Sequence, residues 1–102
     1  MPNVLTNYTS ASVGTSPVTV YTVGASTTAT VVGLQVSNTT ASQIAVDVQA
    51  AGVYLIKGAP IPANSALSVL DGKVVLKATQ TVVVTSNAAT SADVIVSVLE
   101  QS

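Results

Sequence analysis

The chain of 102 residues contains no cysteine, histidine, arginine, tryptophan or phenylalanine, and its charge is limited to three lysines and four acids. Each gap removes a class of chemistry. Without His or Cys there is no Ser-His or Cys-His nucleophile pair, no thiolate, and none of the usual ligands of a zinc, haem or iron–sulfur site. Without Arg there is no bidentate clamp for phosphate or carboxylate, and a net charge of -1 leaves no electrostatic footprint for nucleic acid. The absence of Cys also rules out a disulfide framework, so the fold must rest on its core and any partners. The expectation is a non-enzymatic protein with no catalytic, cofactor or metal site.

Long apolar runs are missing too. The first charged side chain is Asp47, yet Thr, Ser, Asn or Gly interrupts every apolar run well short of the ~18 residues that a membrane-spanning helix needs. The opening MPNVLTNY has neither the basic nor the apolar region of a signal peptide. The chain therefore reads as made in the cytoplasm, unprocessed and without a membrane partner.

What the chain does contain is 20 Val, 14 Thr, 14 Ala and 12 Ser, giving 48% hydrophobic and only 7% charged residues, against about 25% charged in ordinary domains. A surface of hydroxyl, amide and small apolar groups lacks the charge that keeps free domains apart. Such a surface suits a subunit packed against others, so self-association or assembly is expected.

Val and Thr are stiff at χ1 and favour pleated, half-buried surfaces, so strands dominate the reading. Residues 1–15 read as an extended or irregular N-terminal arm and residues 16–102 as one β-sandwich domain. Strands are expected over 16–23, 28–38, 43–51, 53–57, 65–70, 73–78, 80–86 and 92–100. In the second, Thr30, Val32, Leu34 and Val36 point inward, and Gly33 suggests a bulge or a close backbone approach. In the third, Ile44, Val46, Val48 and Ala50 alternate with Ala45, Asp47 and Gln49, and a short turn at Ala51-Gly52 makes a hairpin with the fourth. Residues 58–64, with Pro60 and Pro62, are expected to leave the sheet as a surface crossover. Asp71-Gly72 between two apolar runs predicts a tight hairpin joining residues 65–70 to 73–78. The fold class expected is all-β: an antiparallel β-sandwich of about eight strands, jelly-roll-like, with the N-terminal arm extended.

Three runs, 74–76, 82–84 and 94–99, are apolar on both faces. Only one face of a strand in a two-layer sandwich meets the core, so the other needs cover. Val75, Val83, Ile95 and Leu99 are therefore the candidate interface residues. The carboxylates Asp47, Asp71, Asp93 and Glu100 show no metal-binding or paired-acid spacing. Lys57, Lys73 and Lys77 read as solvated, or at most as a small basic patch. A sugar platform would have to use Tyr8, Tyr21 or Tyr54, and Tyr54 is expected to be partly buried.

The stretches Tyr54-Leu55-Ile56-Lys57-Gly58-Ala59-Pro60-Ile61-Pro62, Leu70-Asp71-Gly72-Lys73 and Ser91-Ala92-Asp93-Val94-Ile95-Val96-Ser97-Val98-Leu99-Glu100 carry a resemblance. The chain resembles small virion structural proteins of tailed bacteriophages, especially those infecting cyanobacteria and other marine bacteria. The likeness extends over residues 19–99. It departs before the Tyr54 strand, where family members often carry a longer polar insertion that this chain shortens to Ala50-Ala51-Gly52. The resemblance implies a β-sandwich present in many copies in the virion. The first expectation is a capsid decoration (cement) protein that binds the phage major capsid protein and stabilises the head. A neck, tail or baseplate component is the second, and a receptor- or glycan-binding module is the reading from another class.

Overall fold

The computed structural model describes residues 3–69 and 73–101. Nine strands make up the described chain: β1 (Asn3–Val13), β2 (Val18–Thr22), β3 (Thr28–Asn38), β4 (Ile44–Ala50), β5 (Val53–Ile61), β6 (Ala66–Ser68), β7 (Val74–Leu76), β8 (Thr81–Ser86) and β9 (Ala92–Gln101). They form two antiparallel sheets that face each other, one ordered β1-β9-β3 with β6 and β7 on the far edge of β3, the other ordered β2-β8-β4-β5. Both β6 and β7 run antiparallel to β3, with Ser68 opposite Gln35 and Val74 opposite Val31. They are two halves of one interrupted edge strand. Counted as one, they leave eight strands, and every connection except the β4–β5 hairpin crosses between the sheets. This is the jelly-roll arrangement of paired Greek keys, so the expected all-β sandwich is what the chain forms.

Among the described residues, twelve of the twenty buried hydrophobic side chains are valine. Short, β-branched side chains from two facing sheets fill the thin interior with few rotamer choices, which compensates for the missing Phe and Trp. Strict alternation delivers them in β4, where Ile44, Val46, Val48 and Ala50 are buried as expected.

Four expectations are corrected. Within the expected arm of residues 1–15, the described Asn3–Val13 is not outside the sandwich. Asn3 to Ser10 pair residue for residue with Gln101 to Val94, so β1 is an edge strand of the first sheet. Its alternation of small and polar residues hides the strand signal. In β3 the ladder slips between Val31 and Gly33. Val31 is buried and Val32 exposed, the reverse of the simple alternation, because the extra residue of the bulge flips the faces before it. The Gly33 signal thus marked a bulge; a side chain there would meet Ser97 only at ordinary contact distance.

Residues 58–61 do not leave the sheet. They complete β5, where Pro60 sits opposite Ala45 and its missing N–H is tolerated because β5 is an edge strand. Finally, β6 and β7 are not paired with each other as a hairpin; both lie against β3. The Asp71-Gly72 turn itself lies outside the described residues. The Ala51-Gly52 turn is as expected, joining Ala50 to its partner Val53 with φ of 53° and 80°, the two positive angles of a type I′ hairpin turn.

Candidate interaction surface

The outer face of the first sheet follows from its register. Residues directly opposite in an antiparallel ladder share a face. Leu5 lies opposite Leu99, Leu99 opposite Thr30, and Thr30 opposite Val75, so four strands place one row across the sheet. Two steps along, Thr9, Ile95, Gln35 and Ser68 make a parallel row. The bulge residue Val32 projects beside the first row. Leu5 is 72% exposed, Val75 62%, and Val32 and Ile95 41% each. Side chains of this size without cover are an unsatisfied apolar surface. A shallow cleft of about 260 Å³ opens at its edge, lined by Thr9, Ser10, Ser37, Asp93 and Ile95 among others.

Three of the four expected interface residues, Val75, Ile95 and Leu99, therefore belong to one face. Val83 does not join them. It lies on the outer face of the second sheet, half-buried between Thr19 and Gln49. Leu5 and Val32 were missed by sequence reasoning, Leu5 because its segment was read as an arm and Val32 because the bulge reversed its face. The Gly33 signal held the second answer, since a bulge at that point predicts the flip.

Val83 helps line a second cleft of about 250 Å³, together with Pro17, Asp47, Gln49, Tyr54 and Thr85. Tyr54 is 48% exposed, which corrects its expected burial. The Lys57 ammonium lies 4.5 Å from its ring centre and within 3.5 Å of its hydroxyl. Lys57 belongs to the second sheet while Lys73 and Lys77 flank β7 of the first, so the three lysines are divided between the sheets.

The three carboxylates among the described residues serve the fold. Asp47 accepts the Gly58 N–H at 2.6 Å, where β5 bulges at a φ of 65°. Asp93 accepts the Ser12 N–H at 2.9 Å, where β1 slips at a φ of 58°. Each caps a bulge whose amide faces away from the ladder. Glu100 accepts from two phenols, Tyr21 at 2.5 Å and Tyr8 at 3.1 Å. Their rings stack across the two sheets with centroids 4.4 Å apart. Burial, then the hydrogen bond and charge of Glu100, raise the Tyr21 phenol far above its ordinary range, and the same causes raise Tyr8. This cluster locks β1 and β9 to β2 and is structural.

Compared with known proteins, the chain matches no family, and no curated protein or solved structure is significantly similar to it.

Proposed function

We propose that this chain is a non-enzymatic structural subunit of a phage virion: a capsid decoration (cement) protein that seats on the phage major capsid protein and stabilises the head. The observation that carries the reading is the row Leu5, Leu99, Thr30 and Val75, with Val32 and Ile95 beside it, on the outer face of one sheet. A decoration protein works by binding alone. It needs a broad apolar face to bury against the shell, and it needs little charge, so that contacts hold whatever the salt. Jelly rolls carry capsid and lectin functions alike, so the fold by itself does not choose between them. The resemblance to phage virion proteins supports the first.

The test is copy number in purified particles by quantitative mass spectrometry. Repeated symmetric positions on a head require on the order of hundreds of copies, whereas about six to a few dozen would indicate a neck, tail or baseplate component and end the cement reading. A glycan-binding role has one observation in its favour, the exposed Tyr54 ring in a cleft with Asp47 and Gln49. It predicts a glycan-array signal that Tyr54→Ala abolishes, and silence on the array removes it.

A further inference from the structure

The four sheet edges are not equivalent. A sheet edge offers unpaired N–H and C=O groups to any other strand, and proteins usually blunt it with short strands, bulges, proline or lysine. Three edges here are blunted. β2 is five residues long, follows Pro17 and slips between Thr19 and Tyr21. β5 carries Lys57, Pro60 and the Gly58 bulge. The third edge is broken into the two three-residue pieces β6 and β7.

The fourth edge, β1, confines its one slip to its far end, between Ser10 and Val13, and leaves eight regular residues before it. Asn3 to Ser10 keep continuous register with β9, without charge or proline, and among the described residues no other strand pairs with them. Val4 and Leu5, on opposite faces of this strand, are 48% and 72% exposed. A long, regular, uncharged edge flanked by bare aliphatic side chains is built to be continued.

We propose that β1 pairs antiparallel with β1 of a second copy of this chain about a two-fold axis, joining the first sheets of two molecules into one. A second copy is the occupant that these features select. Among the described residues only one edge is open, so pairing of like with like closes at two and does not propagate. The strand carries no charge, so two copies meet without repulsion. Its Asn7, Thr6 and Thr9 also offer the hydroxyl and amide pairs that stabilise cross-strand neighbours. The dimer would extend the outer apolar face through Leu5 to the partner molecule.

The proposal stands apart from capsid binding, because it is measured on the isolated full chain. Sedimentation velocity over a wide concentration range should show a species of twice 10.1 kDa. Hydrogen exchange should show protection that rises with concentration at alternate amides of residues 3–10, those whose N–H points away from β9. Asn7→Lys and, separately, Thr9→Lys, both at exposed positions, should weaken the dimer at least tenfold while circular dichroism stays unchanged. A monomer at every concentration overturns the proposal, and so does a dimer in which β1 amides exchange as in the monomer. A dimer that Ile95→Asp dissociates and the two lysine variants do not would place the contact on the sheet face and also refute it. Failure of the unaltered chain to bind particles, with the dimer intact, would count against the capsid reading alone.

Discussion

Glu100 accepts hydrogen bonds from Tyr21 and Tyr8, and the Tyr21 side chain is 97% removed from solvent, with 3% exposed. A hydrogen bond to a charged acceptor is worth about 1.5–3 kcal/mol, so Tyr21→Phe should lower stability at pH 7 by about 2 kcal/mol in denaturant unfolding. The pH dependence follows from the raised phenol. Tyr21 keeps its proton in the folded protein above the ordinary 10.0, whereas the unfolded chain releases it there. Its contribution is whole below pH 10.0 and is lost as pH rises beyond it. Wild type and Tyr21→Phe should therefore converge in stability at alkaline pH, with a residual slope from Tyr8; parallel curves would rule the linkage out. Asn38 is the other decisive residue. Buried at 3% exposure, its amide donates to the carbonyls of Ser42, Ile61 and Pro62 and accepts from Thr40. It ties the loop after β3 to the end of β5. Asn38→Ala leaves those groups unpaired and should cost about 2–3 kcal/mol.

In the strands, insertions decide which side chains see the core. Deleting Val32 removes the extra residue of the β3 bulge and leaves Val31 inward and Leu34 inward, in step with β9. The deletion should cost less than about 1.5 kcal/mol. Deleting Gln35 has no such remedy. It turns either Leu34 or Val36 out of the core and should cost at least about 3 kcal/mol. Similar losses for both deletions, measured by chemical unfolding, would contradict the bulge assignment. The β4–β5 turn offers the reverse change. Ala51 holds a φ of 53°, which costs an alanine roughly 1 kcal/mol, so Ala51→Asn before Gly52 should raise stability by about 0.5–1 kcal/mol.

At the scale of the whole molecule, a folded body of 45 × 21 × 20 Å ties Asp47, Asp93 and Glu100 to bulges and phenols, and presents one sheet face that is largely uncharged. If that face binds the capsid, Ile95→Asp and Val75→Asp should abolish association with particles, while thermal melting shifts little because both side chains are already exposed. Val83→Asp, on the other sheet, should leave particle binding intact. The reverse pattern in a particle co-sedimentation assay would assign binding to the Tyr54 side. An apolar contact also predicts that binding survives a rise from about 50 to about 500 mM salt, over which exposed ion pairs are screened away.

The sequence by itself determined that this is a charge-poor, all-β chain with a valine core. That information is local: the alternation of Ile44 to Ala50 and the Ala51-Gly52 turn are properties of neighbouring residues, and they read directly. It also put Val75, Ile95 and Leu99 on an outward face, because runs apolar on both sides must expose one of them. Tertiary structure alone decided the rest. Whether Val32 faces in or out depends on a ladder slip against β9, more than sixty residues away in the chain. That β6 and β7 both add to β3, and do not pair with each other, is likewise settled by the partner strand. So is the place of β1, whose small and polar residues carry almost no periodic signal until Asn3 to Ser10 meet Gln101 to Val94. Periodicity records the shape of a strand; its neighbours, and therefore the open edge and the composite apolar row, exist only after non-local pairing has chosen them.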